Sequence, residues 1–361
     1  MVEYIEISSE KKAPTNESKL PHNLLVSGAP GTGKSYYLGK SLLDAGEALI
    51  NAAVLGGMST ERAKKQYCDE FVTRVTFYED YSYENFVGCY KPVPDNSEAT
   101  ILYDNKDGKI TENKITYKFV AGPFIDTYLK AKKDKEHNYF LIIEEINRAK
   151  AASVFGDMFQ LLDRKDGESV YEIQPDAALR EYLEIHGEDG LMKLPSNMYI
   201  WATMNSADQG VMPLDSAFKR RWASLYMDIN NDEAARVAYI TVTSDKKILW
   251  ESLRTKINQV ILSNGFDEDR CIGAWYFSEE EISQINAFFT KTAEDRRNAV
   301  NPLVDKLFYY LRQDVFRRNP SAMFKPNDGE ENGITMSDIR RRIRMGETLD
   351  GILNLKDLQW E

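Results

Sequence analysis

The sequence predicts an α/β fold with a mostly parallel sheet flanked by helices, followed by a helical C-terminal part. Three observations predict it. A short apolar strand, Leu24-Leu25-Val26-Ser27, runs into a glycine-rich loop, Gly28-Ala29-Pro30-Gly31-Thr32-Gly33-Lys34-Ser35, and then into a helical pattern from Tyr36 to about Ile50. Two unbroken apolar runs, at 139–143 and 198–203, read as parallel strands buried on both faces. Beyond about Asn230 the strand signals fade and helical spacing takes over, notably over 293–318, so strands alternating with helices give way to helices alone.

In chain order, residues 1–20 are polar and aperiodic and read as an N-terminal tail. Arg74-Val75-Thr76-Phe77 is the next strand after the first helix. Residues 93–120 interrupt the α/β rhythm: Thr100-Ile101-Leu102-Tyr103 and Ile115-Thr116-Tyr117-Lys118-Phe119 flank an Asp107-Gly108 pair, a β-hairpin signal. Residues 124–133 are helical. Residues 151–162 place Val154, Phe155, Met158, Phe159, Leu161 and Leu162 at helical spacing. Residues 166–194 form a second polar insertion. The predicted organisation is a tail over 1–20, a nucleotide-binding α/β domain over 21–229 and a helical subdomain over 230–361. There is no internal repeat.

Composition bounds the rest. The chain has 361 residues, 42% hydrophobic and 29% charged, which fits a large globular core rather than disorder. No apolar run approaches the roughly 20 residues needed to span a bilayer, and the N-terminus lacks a signal-peptide core, so a cytoplasmic location is expected. A net charge of −11 disfavours non-specific DNA binding by the chain itself. The three cysteines, Cys68, Cys89 and Cys271, have neither zinc nor disulfide spacing and read as buried small apolar residues.

The loop meets G-x-x-x-x-G-K-[ST] in full. Its glycines let backbone N–H groups converge on phosphate oxygens, and the following helix adds its positive end. Lys34 is placed to reach the β- and γ-phosphates, and the Ser35 hydroxyl to bind Mg²⁺. The buried strand at 139–143 ends in Glu144-Glu145, at the carboxyl edge where open α/β sheets hold ligands. Two carboxylates there divide the work: Glu144 for the Mg²⁺ shell and Glu145 to polarise an attacking water.

The continuation is more specific. Glu144-Glu145-Ile146-Asn147-Arg148-Ala149 with Val154-Phe155-Gly156, the loop Thr203-Met204-Asn205-Ser206-Ala207-Asp208, and Leu214-Asp215-Ser216-Ala217-Phe218-Lys219-Arg220-Arg221-Trp222 resemble signature stretches of the McrB family of AAA+ GTPases. So do Tyr81-Ser82-Tyr83-Glu84-Asn85-Phe86 upstream and Ile272-Gly273-Ala274-Trp275-Tyr276-Phe277 downstream. The matches are colinear over about 22–277, roughly two-thirds of the chain.

That resemblance implies an AAA+ fold with a helical lid, GTP or ATP as substrate with Mg²⁺, and a ring of subunits, usually six. It implies a nuclease-bearing partner resembling McrC, with DNA contacted through the complex, in restriction of foreign DNA. It implies roles for Asn205 in orienting water at the γ-phosphate, for Asp208 in fixing that loop, and for Arg220 or Arg221 as a finger reaching a neighbour's transition state. The sequence departs from the family in four places. Glu144 stands for Asp, which shifts the expected metal contact. Gln209 stands where Arg often follows, and Ala274-Trp275 replaces a His-Ser pair. Some 20 residues precede the first strand, leaving no room here for a DNA-reading domain. Two other readings stay open: an ATP-driven remodelling protein resembling the MoxR group, and a hydrolysis-poor, nucleotide-gated assembly module.

Other stretches have plainer readings. Arg340-Arg341-Arg342-Ile343-Arg344 is the strongest basic run, expected as an ion-paired helix or a phosphate contact. Phe77, Tyr78, Tyr81, Tyr83 and Phe86 are expected to pack between sheet and helix rather than stack on a base.

Overall fold

A computed structural model describes residues 20–103, 109–205, 210–230, 238–241, 246–327 and 334–355, with the backbone alone for 95–103 and 109–114. The tail before residue 20, the hairpin turn at 104–108 and Asp208 lie outside the described residues.

The strands are β1 (Asn23–Gly28), β2 (Val72–Thr76), β3 (Gly88–Tyr103), β4 (Lys109–Ala121), β5 (Tyr139–Glu144), β6 (Arg164–Lys165), β7 (Glu168–Ser169), β8 (Met198–Met204), β9 (Ala223–Met227), β10 (Tyr239–Thr241) and β11 (Lys247–Leu249). The helices are α1 (Lys34–Ala45), α2 (Glu47–Leu55), α3 (Thr60–Phe71), α4 (Tyr83–Phe86), α5 (Pro123–Lys133), α6 (Ala151–Phe155), α7 (Ala177–Ile185), α8 (Ser216–Lys219), α9 (Trp250–Ser263), α10 (Glu279–Thr290), α11 (Met336–Arg344) and α12 (Leu349–Ile352).

Five strands form one sheet in the order β2-β5-β8-β1-β9, and every pairing is parallel. Successive side chains on a strand alternate between faces. On one face Phe140, Ile142, Trp201, Leu24 and Val26 pack against Leu38 and Leu42 of α1. On the other, Leu141, Ile143, Ile200, Ala202 and Leu25 join a core with Phe86, Phe124, Tyr128 and Phe155. That two-sided burial is why β5 and β8 are apolar throughout. The order brings the carboxyl ends of β1, β5 and β8 side by side, which fixes where a site can form.

Several sequence-based boundaries change, each for a physical reason. The helix expected from Tyr36 to Ile50 is two helices broken at Gly46, where a Cβ would lie 2.3 Å from the Tyr67 ring of α3. The helix expected over 151–162 stops at Phe155. Gly156 has φ 52° and lies under the Tyr83 ring, where a Cβ would approach to 2.8 Å, and the chain continues as 3₁₀ turns over Gly156–Leu162. The hairpin β3–β4 starts earlier than expected, pairing from Gly88↔Ala121 outward. The insertion at 166–194 is less polar in effect than in composition, because Ile173, Leu179, Leu183, Met192 and Leu194 are all buried in the main core.

The C-terminal part is not helices alone, since β10 and β11 form a small antiparallel pair. Its helical stretch begins at Leu303, not 293. Pro302 disfavours helical backbone at Asn301, so Asp295–Asn298 is a separate 3₁₀ turn, and the segment beyond is wound partly as π-helix. This part has its own core around Trp250, Leu253, Ile257, Phe277, Leu307 and Phe308. Arg254 is fully buried within it, held by the carbonyls of Ile229 and Ile272 at 2.9 and 3.0 Å and by Glu251 at 2.6 Å.

The two parts meet on the phosphate loop. The N–H of Gly273 donates to the carbonyl of Pro30 and that of Trp275 to the carbonyl of Gly31, each at 2.8 Å. Ala29 belongs to the C-terminal core, and Trp250 Nε1 donates to the carbonyl of Ala274 at 2.9 Å. A Cβ on Gly273 would lie 2.3 Å from the Gly31 carbonyl, so backbone must touch backbone here. Gly273→Ala is therefore expected to cost about 1–3 kcal/mol, as overpacking does, and to expose the 272–277 segment to protease. Denaturant unfolding and limited proteolysis check this; an unchanged midpoint with unchanged cleavage contradicts it.

Candidate functional site

The loop after β1 is shaped for an anion. Gly31 and Gly33 take φ 75° and 84°, the left-handed region that glycine enters freely. Thr32 Oγ1 donates to the Ala29 carbonyl at 2.9 Å and locks the turn. Helix α1 begins at Lys34, so its first-turn N–H groups, without helical acceptors, face the loop with the positive end of the helix. Lys34 Nζ donates to the carbonyls of Gly28 and Ala29, each at 2.9 Å, which curls its ammonium over the loop. The Trp275 ring covers Gly33 and faces Tyr36 of α1, with centroids 6.2 Å apart and planes 25° from parallel.

At the end of β5 the acids are fixed by their neighbours. The parallel register sets Ile143 opposite Ala202 and Thr76 opposite Glu144, so Glu144 lies between β2 and β8. Its Oε2 accepts from the Ser35 hydroxyl at 3.1 Å and from the Thr203 hydroxyl at 2.5 Å. Its Oε1 is ion-paired with the Arg74 guanidinium of β2. The Glu145 N–H donates to the same Thr203 hydroxyl at 3.1 Å. Glu145 itself has φ 54° and ψ 48°, a conformation that costs a residue with a Cβ on the order of 1–3 kcal/mol and clusters at functional sites. Arg148 Nε lies 4.0 Å from Glu145 Oε2.

Asn205 is buried at the end of β8, beside these acids. Its carbonyl accepts from Asn147 Nδ2 at 2.8 Å, and the Asn147 carbonyl accepts from the N–H of Met212 at 2.6 Å. Asn147 thus holds both sides of the segment that carries Asp208.

Arg220 and Arg221 separate cleanly. Arg221 pairs with Asp163 at 2.8 Å, donates to the Ala217 carbonyl at 2.8 Å and lies 3.9 Å over the Phe159 ring, leaving its side chain 9% exposed. Arg220 is exposed at the end of α8.

Ser35 and Glu144 present hard oxygen donors, which suit Mg²⁺. Among the described residues no group of three or more His, Cys, Asp or Glu could hold a metal. A cation here needs further oxygens from a triphosphate, as Mg²⁺ sites of this kind use.

The structure thus brings Ser35, Glu144, Glu145 and Asn205 together around the phosphate loop, and leaves Arg221 elsewhere. It also gives contacts to three residues to which motif reading assigned no role: Arg74, Thr203 and Asn147. Arg74 and Thr203 carry no local signal, because their roles depend on strand register. The basic run of α11 is ion-paired: Arg340 to Asp305, Arg341 to Asp338 at 3.3 Å and Arg342 to Glu347 at 2.6 Å. Phe77 and Phe86 are buried, with Tyr81 stacked on Phe77. Burial, with lesser help from nearby Tyr78 and from Asp176 and Asp157, pushes the Tyr81 and Tyr83 hydroxyls up to about 12, as expected of packing residues. Of the cysteines only Cys271 is fully buried; Cys68 and Cys89 are partly exposed, unlike the expectation for them. No helix among the described residues is long and apolar enough to cross a membrane.

Sheet order, phosphate loop and paired acids define an AAA+ nucleoside-triphosphatase. Residues 58–222 match the family described as AAA domain (dynein-related subfamily). The chain is 40% identical over 357 residues to component YdiS of the type II restriction enzyme BsuMI of Bacillus subtilis (strain 168), covering 91% of this chain and 94% of that one. It is 28% identical over 265 residues to the EcoKMcrB subunit of a type IV methyl-directed restriction enzyme of Escherichia coli (strain K12), covering 71% of this chain and 47% of that one. A crystal structure from Cytophaga hutchinsonii ATCC 33406 is 12% identical and covers 89% of this chain at a TM-score of 0.27; the fold assignment rests on the strand order and not on that superposition. The chain belongs to the McrB-like family of AAA+ proteins.

The contrast between the two arginines is testable as stability. Arg221→Ala should lower unfolding free energy by about 1–3 kcal/mol, as loss of a charged hydrogen bond beside a part-buried partner does. Arg220→Ala should stay within about 0.5 kcal/mol of the unaltered chain. Equal effects in denaturant titrations contradict the assignment.

Proposed function

We propose that this chain is the nucleotide-driven motor of a restriction system. In this reading it binds GTP or ATP with Mg²⁺ and hydrolyses it, assembles into a ring of six subunits as its family does, and powers a nuclease-bearing partner resembling McrC that meets foreign DNA. The observation that carries the proposal is the meeting of Ser35, Glu144 and Glu145 through Thr203 at the carboxyl ends of β5 and β8, beside the loop that ends in Lys34. Both relatives are components of restriction enzymes, which supports the pathway. GTP is favoured over ATP on the family resemblance.

Each residue has a distinct task. The loop N–H groups and Lys34 hold the phosphates. Ser35 and Glu144 hold the cation, which when bound neutralises charge developing on the phosphates. Glu145, held in its left-handed conformation, takes the proton of the attacking water. The Asn205 amide orients that water, and Asn147 and Asp208 fix the segment carrying it. Arg220, exposed and uncommitted to the core, is the residue that reaches a neighbouring subunit's site. Arg221 holds α8 to the body, so that Arg220 is presented from a rigid base.

Lys34→Ala should weaken triphosphate binding by roughly ten- to a hundredfold, the range of a hydrogen bond to a charged group. Undiminished affinity by calorimetric titration sinks the reading. Glu145→Gln should keep binding while phosphate release from GTP and from ATP falls by roughly 10²–10⁴-fold. Turnover is measured with and without the partner, and full activity in that variant assigns the base elsewhere.

A further inference from the structure

Glu144 is one methylene longer than the Asp its family uses, and an arginine sits on it. Arg74 stands on the edge strand β2, two residues before Thr76, which is the register partner of Glu144. Parallel register puts Arg74 and Ile142 opposite each other, on the same face of the sheet as Glu144 and Thr203. The guanidinium takes Glu144 Oε1, while Oε2 faces Ser35 and Thr203. One carboxylate oxygen thus faces the cation position and the other is already neutralised by the protein. The Arg74 side chain is 43% exposed, whereas that of Glu144 is only 15% exposed, so the arginine is the partner free to move.

It also has somewhere to go. Arg74 lines a groove of about 1050 Å³ between α1, α2, α3 and β2, whose wall carries the carboxylates of Asp44, Glu47 and Asp69 beside the ammonium groups of Lys40 and Lys64. A guanidinium leaving Glu144 borders a groove that holds other carboxylate acceptors.

We propose that Arg74 is a positioning residue that acts as the resident counter-ion of Glu144 and sets how tightly this site takes its divalent cation. The proposal rests on the reading that Ser35 and Glu144 hold that cation. With Arg74 in place, a cation arriving with a triphosphate competes against a fixed positive charge. On binding, the guanidinium leaves Glu144 and turns toward the groove beside α1. The longer glutamate is what lets one acid reach both partners; an aspartate at this position draws back from Arg74. The pair therefore raises the cation concentration at which the site fills and makes filling depend on the triphosphate's own charge.

The test uses the full chain with a non-hydrolysable GTP analogue and with the ATP analogue, and reads Mn²⁺ binding by electron paramagnetic resonance. Arg74→Gln should lower the Mn²⁺ concentration at half-saturation by roughly two- to fivefold, the range a half-exposed ion pair is worth. Arg74→Lys keeps the charge without the planar fork and should fall between. In a Glu144→Asp background the Arg74→Gln effect should shrink toward none, a coupling that a merely structural arginine does not produce. An unchanged or raised half-saturation in Arg74→Gln, or an equal effect in both backgrounds, overturns the proposal. Triphosphate binding in EDTA, measured on the same samples, separates the two levels. If the unaltered chain binds triphosphate but neither Arg74 variant moves Mn²⁺ affinity, only the Arg74 proposal fails. If the unaltered chain binds triphosphate yet takes up no Mn²⁺, the reading of Ser35 and Glu144 fails and this proposal with it.

Discussion

The Glu144 carboxylate is the constraint on which the site depends. One side chain at the end of β5 is tied to Ser35 at the start of α1, to Thr203 on β8 and to Arg74 on β2. These ties bind the start of α1, the strand β5 and the two strands flanking it into one polar junction. Hydrogen bonds to ionised groups are worth more than neutral ones, and an unmatched carboxylate at a partly buried position is costly. The junction therefore specifies the relative positions of β2, β5, β8 and α1 at their carboxyl ends, where apolar packing stops. Thr203 extends it to the backbone of Glu145, so the strained acid is anchored by the same network that holds its neighbour.

A second contact sets how the C-terminal part senses that junction. Gly273 and Trp275 pair backbone to backbone with Pro30 and Gly31, and Trp250 holds Ala274 from behind. The loop thus touches the core built on α9 and α10 backbone to backbone.

Much of this was legible in the sequence because the signals are local. The phosphate loop is a contiguous motif, β5 and β8 are apolar runs that only a buried strand explains, and the Asp107-Gly108 pair announced a hairpin. What escaped depends on residues distant in the chain. The breaks at Gly46 and Gly156 are dictated by the Tyr67 and Tyr83 rings, which arrive from other elements. Arg74 reads as an ordinary charge on a strand until parallel register sets it beside Glu144, 70 residues on. Arg220 and Arg221 are equivalent by motif, and the contacts of Arg221 with Asp163, 58 residues earlier, and with the Phe159 ring tell them apart. The polar look of 166–194 hid five apolar side chains whose spacing is irregular because a helix, an isolated bridge and a loop share them.

A crystal structure of this chain with Mg²⁺ and a non-hydrolysable triphosphate tests the account most directly. The β- and γ-phosphates are expected on the loop N–H groups and Lys34. A cation is expected at about 2.0–2.1 Å from Ser35 Oγ, with Glu144 bound to it directly or through one of its waters. A triphosphate held elsewhere, or a cation on the loop with Glu144 turned away from it, contradicts the account.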